Sequence, residues 1–324
     1  MTWLRWDKGH ARMVPVGAML TDLNLQLPDG RMVAPLHKAP WLGEALPDDV
    51  PPLLTGLQGE WPCVPFGSSP EGSLAGDWAV SSPPPDPWPH GFAAHHAWQI
   101  SSNGPSEAQA EILYPDGDPV HHLTRRVCGV AGSARVEIDL EIHMRRASTL
   151  PVGVHPVFRL PDRVGAARIC PGRYERVYCY PGDTGGRPAF SASGPFRFDT
   201  LTDLDFDPLN LPYASRSETL LLLSGTDGSF ALENRAEQYR LTLDWDARAF
   251  PSLMLWISNG GRLAHPWSGR HRALGVEPIC SAFDLGSVIS GEDNPLVRMG
   301  IKTAHSLRTD RPFRTRYGIS VSAL

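Results

Sequence analysis

Residues 135–146 read RVEIDLEIHMRR, with Val136, Ile138, Leu140, Ile142 and Met144 alternating with Arg135, Glu137, Asp139, Glu141 and His143. A period of two over this length predicts a strand with one face on a core and one in water; a helix would need apolar residues three and four apart. The preceding VHHLTRRVCGV joins it through the small turn AGSA, which predicts an antiparallel hairpin. QAEILYP and the turn from Asp116 to Pro119 add another arm. Tyr239, Leu241, Leu243 and Trp245 repeat the alternation, whereas SLMLWIS (residues 252–258) is apolar almost throughout, as expected for a strand covered on both faces. YERVYCY (174–180) and TLLLLS (219–224) read as further strands. The expected architecture is an all-β, large antiparallel sandwich with few short helices.

Composition agrees with that reading. The 32 prolines and 31 glycines are scattered as turn punctuation, a density hard to reconcile with long helices. A length of 324 residues suits two average domains or one large β domain. With no internal repeat and no Gly/Ser linker, a single domain over 1–324 is expected. The stretches 40–54 (PWLGEALPDDVPPLL) and 81–91 (SSPPPDPWPHG) read as loops within it.

A net charge of −5 with no dense basic run argues against a nucleic-acid partner. The arginines between 298 and 316 are read as the solvated face of a C-terminal strand pair. No apolar run approaches the roughly 18 residues of a membrane span, and the N-terminus lacks the apolar stretch of a signal peptide. Five widely spaced cysteines without a CxxC pair suggest neither a zinc knuckle nor a disulfide framework. A reduced, cytoplasmic enzyme or binding protein, monomeric or homodimeric, is the resulting expectation.

Three segments carry candidate chemistry: PWPHGFAAHHAW (87–98), LPVGVHPVFRLP (150–161) and LGVEPICSAFDLG (274–286). His155 follows an apolar strand and precedes Pro156, so it sits where the strand ends or bulges, a position that suits either function or a satisfied structural histidine. Glu277 lies between apolar residues and before Pro278. Burial of such a carboxyl is costly unless it is paired or functional, and raises its pKa towards the range of a general base. Gly91 permits a tight turn beside His90. The spacing of His90, His95 and His96 matches no common metal signature, and His121 and His122 are expected on opposite faces of their strand, so no metal site is read. No GxSxG elbow and no phosphate-cradling glycine loop occur.

Taken in order, these segments resemble the motifs of the aldose 1-epimerase (galactose mutarotase-like) family: HGF at 90–92 followed by Trp98, VHPVFRLP at 154–161, and VEP at 276–278. GLQGEWPCVPFG (56–67) is similar to the glycine- and proline-rich lead-in of its bacterial branches, and the resemblance spans about residues 30–290. It implies a β-supersandwich with an open cleft, a small carbohydrate substrate and no required cofactor. It also implies Glu277 as base at the anomeric hydroxyl, His155 as acid at the ring oxygen, and His90 as a hydrogen-bonding partner of the sugar. The family's DH-x-F aspartate segment has no counterpart; Asp244 and Asp246 are loose candidates, and His37 and Lys38 could add polar contacts. Among Trp41, Trp61 and Trp98, Trp98 is the choice for the cleft, with core packing the alternative. Arg159, beside the second motif, could bind phosphate in a sugar-phosphate variant. A non-catalytic sugar-binding protein and a glycan-cleaving enzyme are the competing readings, the latter short of a second placed carboxylate.

Overall fold

Two large antiparallel sheets organise the chain, whose computed structural model describes residues 1–70, 73–78 and 86–324. The nine-stranded sheet runs Asn210–Leu211, Ala167–Pro171, Ser229–Asn234, Tyr239–Trp245, Phe313–Ala323, Arg135–Met144, Val120–Gly129, Glu107–Leu113 and Gln99–Ser102. The alternating strands foreseen above lie here, and in 135–144 and 239–245 every second residue is buried. Their polar faces carry cross-strand ion pairs, Arg316 to Asp139 at 2.6 Å and Arg135 to Asp244 at 2.6 Å. Of the C-terminal arginines, Arg314 and Arg316 are exposed residues of this sheet face, whereas Arg298 ends the short helix Pro295–Arg298 and Arg308 and Arg311 lie in the turn before the strand.

One expectation fails in this sheet. His121 and His122 do not diverge: a register shift between Val120 and His122 brings their Nδ1 atoms within 2.8 Å, and His122 stacks on His143 with ring centroids 4.1 Å apart. A bulge adds one residue to one strand and breaks the alternation locally.

The seven-stranded sheet runs Arg176–Cys179, Ser217–Ser224, Ser252–Asn259, Arg272–Cys280, Val152–Val154 and Pro62–Cys63, with Val157–Arg159 also paired to the 272–280 strand. Every residue of 217–224 and 252–259 is buried. Leu221, Leu253, Leu255 and Val276 point into the core shared with the nine-stranded sheet. Leu220, Leu222, Met254 and Trp256 point the other way, into a second cluster with Trp41, Trp61 and Phe283. Burial on both faces is why SLMLWIS shows no alternation.

A four-stranded sheet (Thr2–Trp6, Gly9–Met13, Leu20–Gln26, Met32–Val33) and a pair formed by Ser148–Leu150 and His305–Leu307 complete the strand structure of the described residues. The segment read as loop over 40–54 contains the first residues of a short helix, Pro52–Thr55, started by proline at its first turn. Of the loop read over 81–91, residues 81–85 lie outside the described residues. Among the described residues, no helix is long and apolar enough to cross a membrane.

Candidate active site

The second face of the seven-stranded sheet carries an interrupted ladder. Val152 pairs with Cys280, Gly153 with Ile279 and Val157 with Gly275, so one register holds on both sides of the break and sets His155 opposite Glu277. Pro156 and Pro278 flank that pair and have no N–H to give to a ladder; the Val276 N–H to Pro156 carbonyl bond, 2.9 Å, spans the gap. At the outer edge, Gly153 pairs with Cys63 and Val154 with Pro62, which sets Trp61 opposite His155. The Trp61 carbonyl accepts the His155 N–H at 2.9 Å, and the two rings stack with centroids 4.3 Å apart. Inward, Met254 pairs with Glu277 and Leu222 with Met254. Trp61, His155, Glu277, Met254 and Leu222 therefore form one row of side chains across the sheet.

His155 Nε2 lies 3.4 Å from Glu277 Oε1, with the Glu277 side chain fully enclosed. Burial pushes the Glu277 carboxyl well above the ordinary carboxylate range; the Asp284 charge adds to this and Arg262 opposes it. Burial, with His90 next, holds the His155 imidazole well below its usual value. Both effects act against the charged forms, in the direction of a carboxylic acid facing a neutral imidazole. One proton moved across the gap yields carboxylate and imidazolium, the base and acid that the sequence resemblance assigns to these positions. Neither Glu277 oxygen has a hydrogen-bond partner among the described residues, although both are buried. An orphaned buried carboxyl marks a place where a ligand supplies the donor.

His90 joins the pair from the loop before the short helix Phe92–His95. Its backbone is left-handed, φ 62°, and its N–H donates to the Gly67 carbonyl at 2.8 Å. Gly91 follows at φ 88°, where a Cβ would fall 2.1 Å from the Val64 carbonyl oxygen, so this turn requires glycine. The His90 ring meets His155 edge-on with centroids 5.1 Å apart, and its enclosed Nδ1 has no hydrogen-bond partner among the described residues. Burial pushes its pKa down to about 3. His95 and His96 turn to the carbonyls of Pro89 (2.7 Å) and Phe92 (2.8 Å). Among the described residues, no group of three or more His, Cys, Asp or Glu side chains is arranged to hold a metal ion.

These three groups open onto a cavity of about 580 Å³ whose wall includes Trp61, Trp256, Trp267, Tyr180, Arg262 and Asp284. Sequence reasoning placed only Trp61 among the possible lining residues. The Arg262 guanidinium lies over the rings of Trp267 (4.7 Å) and Trp256 (5.4 Å), and its Nε donates to the Thr184 carbonyl at 3.0 Å. Behind it stands Glu218, fully buried, which accepts from Trp256 Nε1 at 2.5 Å and Ser258 Oγ at 3.1 Å, and lies 3.3 Å from Arg262 Nε. His271 closes this chain, its Nδ1 2.8 Å from Ser258 Oγ.

Seven other candidates lie elsewhere. Trp98 is a core residue, 4% exposed, with its indole N–H donated to the Ala93 carbonyl at 2.9 Å. Trp41 is buried behind the cavity wall, edge-on to Trp267. Arg159 and His37 line a separate groove. There Arg159 forms a two-pronged pair with Glu237 at 2.7 and 2.8 Å, and His37 packs edge-on against His271 at 4.7 Å. Lys38 is tied to Asp22. Asp244 and Asp246 are held by Arg135 and Arg248, away from the cavity.

Fold and site together define a two-sheet β-sandwich with an opposed His–Glu pair on the outer face of one sheet. Solved structures of that class superpose over nearly the whole chain, so the fold is the galactose mutarotase-like sandwich. A candidate aldose 1-epimerase of Escherichia coli K12 is 13% identical with a TM-score of 0.65, covering 99% of this chain and 98% of its own. A galactose mutarotase-like protein of Clostridium acetobutylicum is 13% identical with a TM-score of 0.63, covering 99% and 95%. The GalM/aldose epimerase homologue of C. elegans is 14% identical with a TM-score of 0.61, covering 99% and 98%. No protein-family model and no curated protein matches the sequence.

Proposed function

We propose that this protein is an isomerase of the aldose 1-epimerase family, working as one cytoplasmic domain and interconverting the α and β anomers of a hexose or hexose derivative. The observation that carries the reading is the opposed His155–Glu277 pair, 3.4 Å apart at a break in the ladder and open to an aromatic-walled cavity. Mutarotation requires a base to take the anomeric proton and an acid to protonate the ring oxygen. The ring opens, the C1–C2 bond rotates, and closure on the other face returns both protons.

Glu277 as carboxylate takes the anomeric proton and His155 as imidazolium protonates the ring oxygen; closure exchanges the two roles. Trp61 stacked on one face of the imidazole fixes its plane. His90 Nδ1, unpartnered among the described residues, is available to a sugar oxygen. Arg159 is neutralised by Glu237 outside this cavity, so it lends no support to a phosphorylated substrate.

The test is polarimetric or saturation-transfer NMR mutarotation of α-glucose, α-galactose and glucose 6-phosphate, with wild type and Glu277→Gln. Wild type is expected to accelerate at least one sugar, and the variant to lose about 10²- to 10⁴-fold. Sugar binding without acceleration would assign the scaffold to a non-catalytic carbohydrate binder instead.

A further inference from the structure

Two acidic groups of the cavity wall, Asp183 and Asp284, take no part in the proton transfers above; Asp183 is exposed and accepts the Gly185 N–H at 2.8 Å, whereas Asp284 is enclosed. It follows Glu277 by seven residues in the segment that leaves the 272–280 strand. Phe283 precedes it with φ 52°, a left-handed conformation that a bulky residue adopts only where its surroundings impose it. The Asp284 carbonyl accepts the Ser68 N–H at 2.8 Å, and Gly67 passes so close that a Cβ there would lie 2.6 Å from the Asp284 carbonyl carbon. The backbone at Asp284 is therefore clamped on both sides.

That clamped backbone carries a carboxyl which the protein satisfies only in part. Tyr180 engages it through its phenol and Arg262 lies within electrostatic range. Oδ1 is enclosed and meets no hydrogen-bond partner among the described residues. A carboxylate kept for structure alone would have both oxygens satisfied. An imposed backbone conformation and an enclosed, unpaired acceptor on a residue of the cavity wall are instead what a ligand-reading group requires.

We propose that Asp284 is a specificity-determining residue of this cavity: its Oδ1 accepts a hydrogen bond from one hydroxyl of the bound sugar, while Tyr180 holds the carboxyl in that orientation. The assignment rests on the hexose reading of the cavity, and its chemistry is distinct from the proton transfers at His155 and Glu277. A site built to accept from a hydroxyl rejects the analogue lacking it, because the acceptor is then left unpaired.

The experiment compares wild type, Asp284→Ala and Tyr180→Phe for mutarotation and for equilibrium binding of glucose and its 2-, 3-, 4- and 6-deoxy analogues, with binding read by tryptophan fluorescence. Asp284→Ala is expected to weaken glucose binding about tenfold to a hundredfold. One deoxy analogue should bind both proteins equally, since it has already lost the hydrogen bond. If Asp284→Ala does not fold, as judged by circular dichroism, Tyr180→Phe carries the test with a smaller loss on the same deoxy pattern. Equal losses for every analogue, or unchanged affinity, would overturn the assignment while leaving the epimerase reading intact. A wild type that neither converts nor binds any hexose removes both.

Discussion

Gly275 stands two residues before Glu277 on the same face of the 272–280 strand, and a Cβ built on it would lie 2.5 Å from Glu277 Oε1. The missing side chain is the space in which the carboxyl sits, with Trp256 paired across the strand at the other side. Gly275→Ala must displace the carboxyl or push against Trp256, whose Cβ is 3.0 Å from the new methyl. We expect a fall in kcat of about tenfold or more and a stability loss of about 1–3 kcal/mol from overpacking. Steady-state mutarotation with a parallel urea titration checks both. Unchanged kcat would show that the carboxyl's position is not critical.

The Glu277 carboxyl also makes stability depend on pH, with a defined sign. Burial raises its folded pKa above the ordinary glutamate value of 4.5. It therefore stabilises the fold fully below about pH 4.5 and loses that contribution as pH rises towards the folded value, at up to about 1.4 kcal/mol per unit. Glu277→Gln, which cannot ionise, should match wild type near pH 4 and become progressively more stable than wild type above it. Urea midpoints at pH 4, 6 and 8 give the comparison; a difference independent of pH would mean that the carboxyl ionises freely in the fold.

How much of this was legible beforehand depended on sequence distance. The strand at 135–144 could be read because its pattern is local. His155 and Glu277 were visible because each stands in an apolar run beside a proline, which marks a ladder break from either side. Their register, and the meeting of Trp256, Trp267, Arg262 and Asp284 around them, depend on pairing between strands far apart in the chain, for which no local periodicity exists. Asp284 had the one usable signal: an acidic residue in the apolar stretch following Glu277. Trp98 misled because nearness to His90 in sequence does not decide which face of the loop a ring takes. The bulge at His121 was invisible because one extra residue leaves no mark on composition.

Arg159 and Arg262 separate the two grooves of the molecule. Arg159 is committed to Glu237 and its side chain is 38% exposed, so Arg159→Ala should leave mutarotation within about threefold and cost no more than about 1 kcal/mol. Arg262 lies on the cavity wall over two tryptophans and against the buried Glu218. Its removal strips a donor from the cavity and leaves the Glu218 carboxyl, already raised by burial, without its cation. Arg262→Ala should lower kcat/KM by about tenfold or more. The reverse ranking of the two variants would move the binding site to the Arg159 groove.

Beneath the cavity, Glu60 precedes Trp61 and is held by Arg125, with both side chains 0% exposed. Tyr317 donates its hydroxyl to the other Glu60 oxygen at 2.5 Å. Arg125 sits at an inward position of the 120–129 strand, where the alternation would otherwise place an apolar residue. Removing one member of an enclosed pair leaves the other charge uncompensated, which costs about 3–5 kcal/mol, whereas replacing both members relieves much of that. Arg125→Met should therefore shift the urea midpoint strongly downward, and Arg125→Met combined with Glu60→Gln should recover at least half of the loss. If the double variant is as unstable as the single, packing of the arginine stem between the sheets, rather than the stranded carboxylate, is what the fold depends on.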